Sequence, residues 1–342
     1  MKEIRDNARK LMNKSCRVCP ACNGVACAGE VPGMGGLGTG SSFQNNFNSL
    51  SSICFNMRLI HDVVEPDTST TVLGKKLSIP VMAAPIGGIS YNMNDAIPEE
   101  DYIKAIVAGC KAKGIVGCTG DGVPEPIHQS GFKAITEAKG DAIPFIKPWN
   151  DEELFRKIEL AKETGTDTIG MDIDAAGLIT LRLMGRPVSP KSPEKLKEII
   201  KITDRKFILK GVMTADEAEL ALQAGADGIV VSNHGGRVLD STPGTAAVLP
   251  KIVEKVAGKL TVFVDGGIRT GGDVLKMLAL GADCVMIGRP FSIAAVGGLQ
   301  EGVEKYIETL TTELKQAMVM TGTASASNVS KNILCYSSAS CC

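Results

Sequence analysis

Three short runs carry the residues best suited to chemistry: Ser232-Asn233-His234-Gly235-Gly236-Arg237, Val264-Asp265-Gly266-Gly267-Ile268-Arg269 and Ile287-Gly288-Arg289-Pro290. His234 can accept or donate a proton near neutral pH, and Arg237 can grip a planar carboxylate with two parallel hydrogen bonds. That pairing suits an acid that also carries a hydroxyl. The Gly266-Gly267 pair and Gly288-Arg289 each follow an apolar run. Small residues there let backbone N–H groups approach an anion, and Arg269 and Arg289 can neutralise it. Two neighbouring loops then make one phosphate site. A histidine on its own is more often a core or surface residue than a base, and the other two, His61 and His128, lack such neighbours.

The elements that must position these residues are legible as alternating apolar runs and helical periods. Strands are expected at Ile79–Ala84, Ile115–Thr119, Ala142–Lys147, Thr168–Asp172, Phe207–Lys210, Gly228–Ser232, Thr261–Asp265 and Cys284–Ile287. Eight strands separated by helices predict an α/β fold, a (β/α)8 barrel with a parallel sheet, with an open doubly wound sheet as the rival. Asn150 or Asp151 can cap the helix running to Ala161, Thr214 stands at capping-box spacing from Glu217, and Gly225 and Gly281 can stop helices. Reactive residues of such a barrel sit at the carboxyl ends of its strands, and loops after the seventh and eighth commonly take phosphate. Lys210 ends the fifth strand, His234 and Arg237 follow the sixth, and the two glycine–arginine loops follow the seventh and eighth.

Residues 76–325 are therefore expected to form the barrel, residues 1–75 a Cys-rich and Gly-rich capping segment, and residues 326–342 a tail. The stripe Ile4, Ala8, Leu11, Met12 predicts an amphipathic helix used for packing or an oligomer contact. The GMGGLGTG run matches no complete phosphate fingerprint and is expected to be a turning or mobile loop. With 342 residues, 44% apolar content and a formal charge of −1, the chain offers a large core and no electrostatic case for nucleic acid. No apolar run is long enough to span a bilayer and no secretion signal is evident, so a cytoplasmic protein is expected.

Eleven cysteines are many, and they cluster at the ends of the chain. Cys16, Cys19 and Cys22 form C-x2-C-x2-C with Cys27 following, a spacing that can wrap an iron–sulfur cluster or zinc. The plain alternative is a set of free thiols, redox-active together with Cys341 and Cys342.

The segments SNHGGRVLD, DGGIRTGGDVLKMLALGAD and MIGRP, with IPVMAAPIGG upstream, resemble the flavin mononucleotide (FMN) dependent 2-hydroxy-acid oxidases and dehydrogenases, the family of glycolate oxidase and lactate oxidase. The resemblance spans roughly residues 58–325. It implies oxidation of an (S)-2-hydroxy acid of the lactate or glycolate class to a 2-oxo acid, with oxygen or an electron carrier as acceptor, in a homotetramer. It also implies that His234 takes the hydroxyl proton while hydride moves to flavin N5, that Asp174 pairs with His234, and that Arg237 binds the substrate carboxylate. Ala84, Pro85 and Ile86 would run along the flavin, and Lys210 would lie beside its N1 and O2. Asp265, Gly266, Gly267, Arg269, Gly288 and Arg289 would hold the ribityl chain and phosphate. Thr119, Lys147, Asp172 and Ser232 complete the expected cofactor contacts.

The family's two substrate-contacting tyrosines are missing. Pro32-Gly33-Met34 stands at the first, and either Lys147 or Trp149 at the second, since a two-residue shift keeps the same strand face. Asp121 stands near a position where an aromatic residue is common. Two other readings follow from the remodelled pocket: an isomerase of the isopentenyl-diphosphate type with the same barrel and flavin, or a non-catalytic flavin or metal redox sensor.

Overall fold

A computed structural model describes residues 1–336. Three short strands precede the barrel, Ile53–Phe55 (β1) and an antiparallel hairpin of Thr70–Val72 (β2) and Lys75–Leu77 (β3). Eight parallel strands then close on themselves: Val81–Ile86 (β4), Val116–Thr119 (β5), Ile143–Ile146 (β6), Thr168–Asp172 (β7), Lys206–Val212 (β8), Gly228–Val231 (β9), Thr261–Val264 (β10) and Cys284–Ile287 (β11), with β11 pairing to β4. A last strand, Leu334–Tyr336 (β12), pairs with β1. The architecture is the expected (β/α)8 barrel. The first barrel strand starts two residues later than its apolar run, at Val81, because Pro80 has no N–H for the ladder.

Alternate residues of the strands fill the interior, among them Met82, Val116, Phe145, Ile208, Phe263 and Met286. Val72 and Leu77 of the hairpin join the same cluster and plug the end of the barrel where the strands begin. Lys75 pairs with Asp167, just before β7, at 2.8 Å. Gly170 exists for packing: a Cβ there would enter the ring of Phe145 on the adjacent strand.

Helices Lys2–Leu11 (α1), Ser41–Ser51 (α2) and Ile89–Asn92 (α3) are additions to the barrel. The connections carry Glu99–Ala112 (α4), Pro126–Glu137 (α5), Asp151–Glu163 (α6), Ile179–Leu183 (α7), Pro193–Thr203 (α8), Ala215–Ala224 (α9), Thr245–Val256 (α10) and Gly271–Ala279 (α11), and Arg289–Thr321 (α12) follows the last strand. Their starts are fixed locally. Asn150 accepts from the Glu153 N–H at 3.0 Å, Thr214 accepts from that of Glu217 at 3.4 Å, and Thr270 forms a full capping box with Asp273. The amphipathic α1 packs on α12, with the Asn7 side chain donating to the Gly297 carbonyl at 2.8 Å.

The N-terminal segment folds over the carboxyl ends of β9–β11. Leu37 N–H donates to the Gly236 carbonyl at 2.8 Å, Thr39 and Ser41 N–H to Asp240 at 2.6 and 3.1 Å, and the Asn46 amide to Asn233 at 2.7 Å. The GMGGLGTG run is thus a tightly packed turn: a Cβ on Gly35 would collide with the Cys27 carbonyl.

Candidate active site

Two cavities open at the carboxyl ends of the strands and share Pro85, Ile86 and His234 as their common wall. The first is lined by Met34, Tyr91, Asn92, Lys147, Asp172 and Arg237, with an apolar side of Ile127, Leu178, Leu181 and Met184. The second is lined by Ala84, Lys210, Asp265, Gly266, Gly267, Arg269, Gly288 and Arg289.

His234 adopts φ +56°, uncommon for a residue with a side chain, and its N–H is held by the Ser232 hydroxyl at 3.0 Å. Its Nδ1 lies 2.9 Å from Asp174 Oδ1. Lys210 Nζ lies 3.3 Å from the same nitrogen, but the closer carboxylate favours N–H on Nδ1, which leaves Nε2 as the basic nitrogen. Asp174 is buried, which would raise its pKa, but His234 and Lys210 reverse that effect and hold it down at about 2. It is therefore an anion throughout the neutral range.

Lys210 sits 3.3 Å from Asp174 and 3.6 Å from Asp172. Burial alone would favour the neutral amine, yet Asp174, Asp172 and Asp265 push its pKa up, so it stays charged. The strand delivers it there through a register shift between Lys210 and Val212. Gly211, at φ +111°, makes the bend possible, because a Cβ on it would stand 2.5 Å from that of Asp174. Lys147 extends the array, with Nζ 3.5 Å from the other oxygen of Asp172.

Arg237 is surrounded by acceptors that carry no charge. It donates to the carbonyls of Gly33 and Gly35 and, at 2.7 Å, to Asn92 Oδ1. Desolvation, reinforced by Arg289, pulls its pKa down, but a guanidinium remains protonated at neutral pH. A half-buried cation without an anion is unfavourable, so this cavity suits a carboxylate or similar ligand. Arg289 is alike, donating among the described residues to the carbonyls of Met34 (2.7 Å), Gly35 (3.1 Å) and Gly235 (3.0 Å). Both glycines after His234 have positive φ, and a Cβ on Gly235 would stand 2.7 Å from the Arg289 guanidinium.

The second cavity fits FMN on its own chemistry. Asp265 Oδ1 and Arg269 Nε are buried with no hydrogen-bond partner, an acceptor for a ribityl hydroxyl and a donor for phosphate. Gly266 and Gly267, at φ +91° and +83°, shape the turn between them.

Some expected residues fall elsewhere. Thr119 lies outside both cavities, its Oγ1 2.9 Å from where a Gly131 Cβ would stand on α5. Val116 and Cys118 take the inward positions of β5, so Thr119 must face the helices. Ser232 is fully buried behind His234 and donates to Asp265 at 2.9 Å, which makes it a positioning residue. Between the two candidates just after β6, Lys147 enters the cavity, whereas the Trp149 indole turns away and donates to Asp121 at 2.6 Å. Asp121 also accepts from Lys147 N–H at 3.0 Å and from Lys157 at 2.7 Å. Among the described residues no group of three or more His, Cys, Asp or Glu side chains is placed to hold a metal ion, so the iron–sulfur cluster or zinc expected at Cys16, Cys19, Cys22 and Cys27 finds no preformed metal-ion site. Cys341 and Cys342 lie outside the described residues. Asn92, Tyr91 and the Gly33 and Gly35 carbonyls were not singled out from sequence. Only the fold as a whole brings Asn92 and the two carbonyls to Arg237 and places Tyr91 in the same cavity.

Residues 33–186 and 179–336 match the family model described as FMN-dependent dehydrogenase. The chain belongs to that family. As an FMN-dependent dehydrogenase family member it is an FMN-dependent oxidoreductase, and its curated relatives match over most of its length. It is similar to glycolate oxidase of Spinacia oleracea, 33% identical over 333 residues covering 85% of this chain and 86% of that one. It is also similar to 2-hydroxyacid oxidase 2 of Bos taurus, 30% identical over 326 residues covering 86% and 90%. A crystal structure of mandelate oxidase superimposes with a TM-score of 0.79 at 26% identity, covering 98% of this chain and 97% of that one.

Proposed function

We propose that the protein oxidises an (S)-2-hydroxy acid to the 2-oxo acid, with the acid in the first cavity and FMN in the second. The observation that carries this reading is the placement of His234 on the wall between the two, locked by Asp174 with its basic nitrogen free and Arg237 lining the same cavity. Arg237 takes the carboxylate, which fixes the acid's C2 hydroxyl toward His234. His234 removes the hydroxyl proton at Nε2, and the Asp174 anion stabilises the imidazolium that results. Lys210 holds a positive charge at the junction of the cavities. When bound there, FMN supplies the acceptor for the hydride leaving C2, at its N5. Asp265 and Lys210 would hold the ribityl and ring edge, and Gly267, Arg269, Gly288 and Arg289 the phosphate.

The apolar side formed by Ile127, Leu178, Leu181 and Met184 favours an acid with an aliphatic or aromatic side chain over glycolate itself. The carboxylate clamp favours oxidation of a hydroxy acid over isomerisation of a diphosphate, which has no carboxylate for Arg237 to grip. The test is anaerobic rapid mixing of FMN-loaded protein with a panel of 2-hydroxy acids, followed by flavin absorbance. Bleaching by one of them is expected, slowed about 10²- to 10⁴-fold in His234→Ala with FMN still bound. An unchanged bleaching rate in that variant overturns the mechanism.

A further inference from the structure

Cys16, Cys19, Cys22 and Cys27 all line one small recessed cavity beside Arg289. We propose that this cavity is the seat of an iron–sulfur cluster held by these four thiolates, a second redox centre beside the FMN site. The proposal is independent of which acid is oxidised.

Sequence spacing supplies the first half of the argument. C-x2-C-x2-C lets a short loop wrap three corners of a cuboidal cluster, and here the fourth thiolate comes from Cys27 of the same loop. Structure supplies the second half. All four thiols are free and partly buried, and they line one common space, although among the described residues no three of them form a site for a single metal ion. A single tetrahedral zinc needs convergence. A cuboidal cluster keeps its four thiolates farther apart, because each iron takes one of them at a separate corner of the cube.

The loop is anchored around that space by contacts that do not use the thiols. Arg5 donates to the Cys19 carbonyl at 2.7 Å, Arg9 to the Val18 carbonyl at 3.0 Å, and Arg17 grips Glu30 through two 2.7 Å bonds. Val18 takes φ +46°, which turns its N–H back onto Cys16 Sγ at 3.4 Å. The Arg269 guanidinium reaches Cys22 Sγ at 3.5 Å. Hydrogen bonds to ligand sulfur are among the features that set a cluster's potential, and a cluster with four thiolates is an anion that Arg289 and Arg269 would balance. Arg289 lines both this cavity and the FMN cavity, so the two sites share a wall.

The experiment is anaerobic purification of the full chain followed by iron, acid-labile sulfide and zinc analysis, with electron paramagnetic resonance after dithionite. About four iron and four sulfide per chain are expected, with a broad absorbance under the flavin bands that dithionite bleaches. Cys19→Ser should lose the iron, the sulfide and the resonance while keeping FMN. Should that variant fail to fold, iron stripped from the native protein by chelator and oxidant should return on incubation with ferrous iron and sulfide. Stoichiometric zinc, a mass lower by two hydrogens per disulfide, or four alkylatable thiols with no uptake of iron on reconstitution would each overturn the proposal. Flavin bleaching by a hydroxy acid is read separately, so failure here leaves that reading standing.

Discussion

The charged residues around His234 form an alternating array, Lys147, Asp172, Lys210, Asp174, His234, with neighbours 2.9 to 3.6 Å apart. Its outcome at acid pH follows from Asp174, whose pKa is lowered from 3.8 to about 2 by His234 and Lys210 against the burial that would raise it. A depressed carboxylate contributes stability that is full above pH 4 and is lost as pH falls toward 2, on the order of 2 kcal/mol. Denaturant titrations between pH 5 and 2 should show that slope, and Asp174→Asn should flatten it; equal slopes in both proteins would refute the assignment. The same variant should slow flavin bleaching by weakening the imidazolium. Lys147 lines only the cavity assigned to substrate, so Lys147→Met is expected to raise KM about 10- to 100-fold, the value of a hydrogen bond to a charged group, with little change in kcat. A changed FMN affinity with unchanged KM would instead put Lys147 against the flavin. His234, Arg237 and the glycine–arginine loops were legible because each motif is contiguous. The choice between Lys147 and Trp149 was not, since both share a strand parity and only Asp121, arriving from another strand, draws the indole aside.

At the scale of elements, what was legible is what is decided locally. All eight barrel strands were anticipated to within three residues at either end, as continuous apolar runs, and Asn150 and Thr214 announced two helix starts. The kink in β8 was hidden. It depends on Gly211 passing beside Asp174, two residues far apart in the chain, and without it Lys210 would not meet Asp174. The contact of α1 with α12 is equally non-local and equally tight: a Cβ on Gly297 would collide with the Ile4 carbonyl, backbone that cannot swing aside. Gly297→Ala is therefore expected to cost about 1–3 kcal/mol by overpacking. Gly258→Ala is a useful contrast, having positive φ (+74°) and nothing within 4 Å of its Cβ, so only conformational strain of about 1 kcal/mol is at issue. Urea denaturation of both variants checks the pair, and a Gly297→Ala protein as stable as the parent would show that α1 is loosely docked.

For the molecule as a whole, the three arginines of the cavities also fasten the N-terminal segment to the barrel. Arg237 donates to Gly33 and Gly35, Arg289 to Met34 and Gly35, and Arg269 to the Cys22 carbonyl at 3.2 Å. Each cation thus faces chain carbonyls on one side and an anion site on the other. Docking of the segment and binding of FMN are then linked, because an anion that fixes Arg269 and Arg289 also fixes the donors that hold residues 22–35. A ligand that binds only the folded state stabilises it by about 2.7 kcal/mol at a hundredfold excess over Kd. FMN should therefore raise Tm and, in hydrogen-exchange mass spectrometry, slow exchange in residues 22–37 as well as in 265–289. Inorganic phosphate alone should reproduce part of the protection in both regions, since it engages the same two arginines. Protection confined to 265–289 would mean that the segment is held by its own contacts to Gly236 and Asp240, and that the arginines act on the ligand alone.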